Sequence, residues 1–188
     1  SDALRLSRRL TEIEWGGVTP AAEVAFVGER SRVWGIGGRG GAGKSTIIDE
    51  LIYRFLEAPP AGDGQSGKIA VLSADPTLGD RLRMLYCYSP RVFLRSVRVS
   101  PGESTESKLA PLIQELCAWS FDLVLVESVG LGQNELGVAS MVDASVFCMT
   151  PEYGSDVQLE KETLLQQAEV VVMNKRDLPQ AEARGRRV

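Results

Sequence analysis

The chain of 188 residues is 44% hydrophobic and 24% charged, with 21 basic and 25 acidic side chains and no histidine. Its length predicts one main domain, its acidic balance argues against a protein that binds nucleic acid through overall charge, and the lack of histidine excludes an imidazole base. No apolar run is long enough for a membrane span, and residues 1–5, which include the charged Asp2 and Arg5, are not expected to form a secretory signal. Three separated cysteines predict a reducing, cytoplasmic compartment.

Hydrophobic periodicity predicts helices alternating with strands. Leu6, Leu10 and Ile13 recur at helical spacing and predict an amphipathic helix that ends at residues 15–17. A strand at 32–36 then leads through glycines into a helix over 47–56. Further strands are predicted at 68–73, 92–99, 121–126, 145–149 and 170–173, with a helix around 109–116. This alternation is typical of an α/β fold, a mostly parallel sheet with helices on both faces.

A glycine-rich motif follows the first predicted strand. Residues 38–45, GRGGAGKS, fit the phosphate-loop pattern GxxxxGK[ST]. Backbone N–H groups of such a loop surround phosphates, Lys44 can reach the β- and γ-phosphates, and the Ser45 hydroxyl can hold Mg²⁺. A chance glycine-rich turn is the alternative, but a strand before and a helix after it favour a P-loop NTPase. The predicted nucleotide-binding residues here are Gly38, Arg39, Gly40, Gly41, Ala42, Gly43, Lys44, Ser45 and Thr46.

An acid ends the strand predicted at 121–126. In nucleotide hydrolases an acid at such a strand tip holds the Mg²⁺ shell, and a nearby glycine N–H approaches the γ-phosphate, which are the roles predicted for Glu127 and Gly130. Many small GTPases have aspartate here, so the longer Glu127 is expected to act through a metal-bound water or to orient the attacking one. A solvated acid at a strand end is the alternative.

The last predicted strand is followed by Asn174, Lys175, Arg176 and Asp177, which match the pattern NKxD. The carboxylate of Asp177 can accept both N1–H and N2–H of guanine, which adenine does not offer, while the stem of Lys175 packs on the base. Because the motif lies at the carboxyl end of a strand in a P-loop domain, Asn174, Lys175 and Asp177 favour guanine over adenine.

These motifs together resemble the GTPases that have glutamate in the third motif, and within them the group associated with adenosylcobalamin-dependent acyl-CoA mutases. The resemblance covers about residues 33–178. Its most specific part, the segment from MTPEYG to QLEK at 149–161, is similar to the G domain of fused isobutyryl-CoA mutase-type enzymes. The motifs that carry it are GGAGKST, ADPT at 74–77, LGDR at 78–81, VESVGLGQ at 126–133, MTPEYG at 149–154, QLEK at 158–161 and NKRD at 174–177.

The resemblance implies roles for residues outside the phosphate loop. Asp75, Asp80 and Glu127 would surround the metal and the attacking water, and Gln158 and Lys161 would signal the nucleotide state to the mutase from an extra switch at 153–161. The implied catalytic residues are Lys44, Asp75, Glu127, Gln158 and Lys161, and the implied metal ligands are Ser45, Asp75, Asp80 and Glu127.

The residues themselves leave alternatives open at three of these positions. Asp75 also fits a solvated Asp-Pro turn, Asp80 is explained almost as well as a helix cap, and Lys161 alone indicates only a solvated helix face. The family has a longer glycine-rich loop where Thr77 is followed directly by Leu78, and we interpret this difference as residues absent from the sequence rather than as a true deletion.

The function implied is a Mg²⁺-dependent GTPase that gates adenosylcobalamin loading or repair of an isobutyryl-CoA or methylmalonyl-CoA type mutase. The resemblance implies that the domain binds Mg²⁺ and GTP or GDP, and that adenosylcobalamin binds to the mutase, which lies in the same chain or in a separate one. Binding to nucleic acid or to a membrane is not expected, and a homodimer is left open. We expect residues 1–29 to form an N-terminal helix and linker, and 30–188 a GTPase domain of a larger mutase fusion.

Three alternatives remain. A nucleotide-responsive interaction module would hydrolyse GTP only incidentally. A P-loop small-molecule kinase would need an acceptor pocket, and NKRD argues against it. A nickel-delivery GTPase would need histidine-rich or cysteine-rich metal sites, which the composition does not provide.

Overall fold

The structure is a computed structural model, and it describes residues 2–21, 31–58, 67–74, 84–100, 102–119, 121–127, 141–152 and 168–177. The helices are α1 (Asp2–Glu14), α2 (Lys44–Glu57) and α3 (Thr105–Cys117), and a short 3-10 turn covers Tyr86–Tyr88. The strands are β1 (Arg32–Gly38), β2 (Ile69–Ser73), β3 (Val92–Ser96), β4 (Leu123–Glu127), β5 (Ala144–Met149) and β6 (Val170–Met173). Every helix and strand predicted within the described residues is therefore present.

The six strands form one sheet in the order β3-β2-β4-β1-β5-β6, and every neighbouring pair is parallel. The carboxyl ends of all six consequently meet at a single edge of the sheet. At this edge Ser73 is in register with Ser96 of β3 on one side and with Glu127 of β4 on the other. The predicted parallel α/β sheet is confirmed.

Helices cover both faces of the sheet. Leu6, Leu10 and Ile13 of α1 join the buried leucines of α3 in a cluster on one face, and Ile48 and Ile52 of α2 pack on the other. Because side chains alternate along a strand, Val124 and Val126 of β4 face the first cluster while Leu125 faces the second. The prediction that helices lie on both faces is thus confirmed.

Ion pairs add to the apolar contact that holds α1. Glu115 of α3 is 3% exposed, and its carboxylate accepts from Arg9 Nε at 3.3 Å, the Ala21 N–H at 2.8 Å and the Trp119 indole at 3.0 Å. Arg95 of β3 pairs with Glu14 at the other end of α1. The N-terminal helix therefore shares one core with the sheet, while the predicted boundary between residues 29 and 30 stays a prediction.

The described helices were also compared with what a membrane span requires. None of them combines the necessary length with the necessary apolar character.

Candidate nucleotide-binding site

The predicted phosphate loop joins β1 to α2 at the carboxyl edge of the sheet. Gly38 has φ 135°, and a Cβ there would lie 2.2 Å from the Cys148 carbonyl oxygen of β5. Gly43 has φ 86°, and a Cβ there would lie 2.1 Å from Asn174 Nδ2. Both conformations favour glycine, and both neighbours leave no room for a side chain. These glycines let the loop turn tightly before the helix begins.

Lys44 is the first residue of α2, and its side chain folds back over the loop. It is 8% exposed, and its Nζ donates to the carbonyl oxygens of Gly38 at 3.0 Å and Arg39 at 3.3 Å. An ammonium has three N–H donors, so one is left for an anion. The N–H groups of the first helical turn have no acceptor within the helix, and the helix dipole adds positive potential at the same point. Lys44 and the start of α2 together favour binding of a phosphate.

Glu127 ends β4 and connects two serines. It is 4% exposed; its Oε1 accepts from Ser45 Oγ and its Oε2 from Ser73 Oγ, each at 2.8 Å. Ser45 lies on α2 and Ser73 ends β2, so the carboxylate joins the phosphate loop to the sheet edge. Sequence reasoning singled out Ser45 and Glu127 but missed Ser73, for which no motif gives a signal.

The Ser45–Glu127 pair is also the part of the site suited to a metal. A hydroxyl and a carboxylate are hard oxygen ligands of the kind that Mg²⁺ prefers, and Mg²⁺ commonly keeps several waters, so few protein ligands are needed. In the described part of the chain no group of three or more His, Cys, Asp or Glu side chains is arranged to hold a metal. The hydroxyl of Ser45 and the carboxylate of Glu127 nevertheless fit magnesium, because Mg²⁺ needs few protein ligands. The other two predicted ligands, Asp75 and Asp80, lie outside the described residues.

A cavity of about 400 Å³ opens between the loop, β4 and the segment after β6. The predicted site residues that line it are Gly40, Gly41, Gly43, Lys44, Ser45, Thr46, Glu127 and Lys175. Asp49 and Met84 line it too, and sequence reasoning missed both. Asp49 lies one helical turn beyond Ser45, a spacing that places both on the cavity side of α2 and could have indicated it.

The NKxD segment is attached to the phosphate loop. Asn174 follows β6, and its Nδ2 donates to the Ala42 carbonyl oxygen at 2.9 Å while its Oδ1 accepts from the Lys175 N–H at 2.9 Å. Lys175 has φ 54°, a left-handed conformation uncommon for a residue with a side chain. Asp177 is exposed two residues further along the chain. Asn174 thus connects the segment predicted to read the base with the loop predicted to hold the phosphates.

Cys148 lies in β5 beneath the phosphate loop. Burial raises the pKa of its thiol to about 11, while Lys44 nearby acts to lower it and Glu127 to raise it. The thiol is therefore protonated at neutral pH and is not a nucleophile. As predicted from its apolar neighbours, it is a reduced residue of the core.

Five predicted site residues lie outside the described residues: Asp75, Asp80, Gly130, Gln158 and Lys161.

Comparison with known proteins identifies the family. Residues 22–188 match the family model described as "Methylmalonyl Co-A mutase-associated GTPase MeaB". The chain belongs to this family. The predicted family is thus confirmed, and so is the class of enzyme, a GTPase.

Two similar proteins are fused mutases. The chain is 39% identical over 165 residues to a fused isobutyryl-CoA mutase from Geobacillus kaustophilus, in a match that covers 81% of this chain and 14% of the relative. It is 38% identical over 189 residues to the fused isobutyryl-CoA mutase of Cupriavidus metallidurans, covering 94% of this chain and 17% of the relative. A Pyrococcus abyssi protein named as a GTPase is 36% identical over 159 residues, covering 79% of this chain and 47% of the relative. The chain therefore spans less than a fifth of either mutase and about half of the archaeal protein.

Solved structures support the fold. The crystal structure of an LAO/AO transport system kinase matches with a TM-score of 0.57 and 26% identity, covering 85% of this chain and 45% of that one. The hydrogenase maturation factor HypB from Archaeoglobus fulgidus matches with a TM-score of 0.55 and 21% identity, covering 98% of this chain and 78% of that one. The predicted P-loop NTPase fold is confirmed.

Proposed function

We propose that this chain is a magnesium-dependent GTPase domain whose nucleotide cycle gates adenosylcobalamin loading or repair of an acyl-CoA mutase. The observation that carries the proposal is the convergence of Lys44, the Ser45–Glu127 pair and Lys175 on one cavity at the carboxyl edge of the sheet. Membership of a mutase-associated GTPase family supports the nucleotide, and relatives named fused isobutyryl-CoA mutase support the partner.

Each side chain has a distinct role in the proposed hydrolysis. Lys44 and the N–H groups at the start of α2 hold the β- and γ-phosphates and withdraw charge from them. Ser45 and Glu127 are the described residues that would hold Mg²⁺, which when bound neutralises charge on the phosphate oxygens. Glu127 also orients the attacking water, and Asp177 accepts the guanine N–H groups. Asp75, Asp80 and Gly130 are proposed, from the resemblance, to complete the metal and γ-phosphate contacts.

The relative affinities for GTP and ATP test the proposal that this chain is a GTPase domain. Calorimetric titration is expected to show GTP binding with Mg²⁺ at least about 100-fold tighter than ATP binding, because only guanine pairs with both carboxylate oxygens of Asp177. Asp177→Asn should weaken GTP binding by about 2 kcal/mol, since an amide offers one acceptor and turns a donor toward guanine. Arg176→Gln, at the variable position of NKxD, is the matched control and should leave GTP affinity within about twofold. Similar affinities for GTP and ATP would contradict guanine specificity.

The effect of an acyl-CoA mutase on the GTPase rate tests the proposed coupling to a mutase. The GTPase rate would be measured with and without an acyl-CoA mutase, for the wild type and for Lys161→Ala, which the resemblance places in the extra switch. We expect the mutase to stimulate hydrolysis by the wild type about tenfold and the variant much less, a coupling on the order of 1–3 kcal/mol. Equal stimulation would remove Lys161 from the switch, and no stimulation of the wild type would leave only the GTPase.

The same assay separates the alternatives. A kinase would transfer the γ-phosphate to an acceptor, so inorganic phosphate would not equal the GTP consumed. An interaction module would still support the mutase when hydrolysis is strongly slowed by Glu127→Ala. Whether the mutase lies in the same chain would follow from a cobalamin-binding DxHxxG element in the flanking sequence, and sedimentation would test the homodimer.

A further inference from the structure

We propose that Ser73 is a positioning residue for Glu127, holding its carboxylate in the orientation required for GTP hydrolysis. The inference rests on the proposed function, since that is where Glu127 acquires its role. Ser73 belongs to none of the motifs that define the nucleotide site.

The two oxygens of Glu127 are held from opposite elements. Ser45 of α2 donates to Oε1 and Ser73 of β2 donates to Oε2, each at 2.8 Å. The terminal torsion of a glutamate is broad and roughly two-fold, so one hydrogen bond restricts the carboxylate plane only weakly. A second donor on the other oxygen fixes the plane. A carboxylate that must order a metal shell and a water needs this fixed orientation.

Ser73 is itself held firmly. It is 7% exposed, its carbonyl oxygen accepts from the Val97 N–H at 2.8 Å, and it pairs in register with Glu127 across the sheet. The next residue, Ala74, donates its N–H to the Glu127 carbonyl oxygen at 2.9 Å. The backbone thus holds Ser73 beside Glu127 at the sheet edge, where its Oγ lies 2.8 Å from Glu127 Oε2.

A neighbouring serine provides a matched control. Ser96 is in register with Ser73 on the next strand, and neighbouring residues of parallel strands project from the same face. Its hydroxyl oxygen is buried and has no hydrogen-bond partner among the described residues. Ser96→Ala therefore removes a serine hydroxyl from the strand next to Ser73, at the same register position, without removing a hydrogen bond to Glu127.

The experiment compares Ser73→Ala, Ser96→Ala and Ser73→Thr for kcat and KM with GTP, and for GDP affinity with Mg²⁺ and with EDTA. Ser73→Ala is expected to lower kcat about tenfold and to change KM much less, because the Glu127 carboxylate that must order the attacking water in the transition state is no longer held. It should also reduce the gain in GDP affinity that Mg²⁺ produces, whereas Ser96→Ala should change neither quantity. Ser73→Thr keeps the hydroxyl and should retain kcat within about threefold.

A double-mutant cycle separates positioning from a general structural effect. In a Glu127→Ala background, Ser73→Ala should change the residual kcat less than twofold, because the group on which Ser73 acts is gone. An undiminished loss in that background, or a Ser73→Ala enzyme that behaves as Ser96→Ala does, would overturn the inference. A wild type without magnesium-dependent GTP hydrolysis would overturn the proposed function and the inference with it.

Discussion

At the scale of single residues, the site depends on a close approach between two loops. Gly43 lies at the point where the phosphate loop passes Asn174, which is hydrogen-bonded to Ala42 at 2.9 Å. A side chain at Gly43 would displace that asparagine as well as strain the backbone. The phosphate loop and the NKxD segment can therefore keep their relative position only while residue 43 lacks a Cβ.

Gly43→Ala tests this contact, and Gly102→Ala controls for backbone strain. Both glycines have φ 86°, but of the two only Gly43 has a described residue within 4 Å of the added Cβ. The strain should cost each variant about 1 kcal/mol in free energy of unfolding. Gly43→Ala should lose about 1 kcal/mol more, since the Asn174–Ala42 bond is broken, and its GDP affinity should fall more than tenfold. Urea unfolding and calorimetry measure both effects. Equal losses with unchanged GDP affinity would show that the contact does not matter.

Which site residues the sequence predicts depends on how local their signal is. Lys44 and Asn174 belong to contiguous motifs whose chemistry is read from spacing, and the structure places both at one edge of the sheet. Ser73 acts on Glu127, 54 residues away, and Asp49 acts on the backbone of Leu85, 36 residues away. No period or short motif reports a hydrogen bond between distant segments, so these two contacts required the structure.

At the scale of elements, α2 supports the 3-10 turn that precedes β3. The Asp49 carboxylate accepts from the N–H groups of Leu85 and Tyr86, both at 3.0 Å, and the Tyr53 and Tyr86 ring centroids lie 4.7 Å apart. Met84, just before this turn, is buried and lines the nucleotide cavity. The turn is thus attached to the same helix that begins at the phosphate loop.

Asp49→Asn should lower the free energy of unfolding by about 1–2 kcal/mol, because the amide has one acceptor oxygen for two backbone donors and no charge. Glu50→Gln on the same helix is the control. Its exposed pair with Arg54, at 2.7 Å, is of the kind worth less than about 0.5 kcal/mol. Urea denaturation of both variants gives the comparison, and an equal effect would mean that Asp49 does not anchor the turn.

Element boundaries were less predictable than element types. The alternation of apolar residues predicts a strand over 92–99, but β3 ends at Ser96 because β2, its one neighbour among the described strands, ends at Ser73. Apolar spacing begins the third helix near Leu109, whereas α3 begins at Thr105, where the Ser104 hydroxyl accepts from the Ser107 N–H at 3.3 Å. Pairing length and capping decide these ends, and hydrophobic periodicity reports neither.

At the scale of the whole molecule, the N-terminal helix is joined to α3 through a buried carboxylate, that of Glu115. Burial acts to raise the pKa of Glu115, but hydrogen bonds from the Ala21 N–H, the Trp119 indole and Arg9 outweigh burial and hold the pKa below its ordinary value of 4.5. A carboxyl group whose pKa is lowered by folding stabilises the folded state above its unfolded pKa. That stabilisation is lost as the pH falls through the folded pKa.

Glu115→Gln should therefore lower the free energy of unfolding by about 2 kcal/mol at pH 7, and the difference from the wild type should shrink below pH 4.5. The control is Glu103→Gln, whose half-buried carboxylate pairs with Lys108 at 3.2 Å. Its effect should be smaller at every pH, because more solvent reaches this pair than reaches Glu115 and screens it. Unfolding curves between about pH 3 and pH 7 test this. A difference for Glu115→Gln that does not change with pH would exclude the charged carboxylate as its cause.

The partners of α1 also have a consequence for the order of folding. Arg9 precedes Glu115 by 106 residues, and Glu14 precedes Arg95 by 81. A ribosome adding 5–20 residues per second needs roughly 5–20 s to make that stretch, and an isolated helix of 13 residues is marginal in water. During this interval α3, whose leucines share a cluster with Leu6, Leu10 and Ile13, has not yet been made. In the growing chain α1 is thus made before α3 and β3, and it makes its ion pairs with them only afterwards.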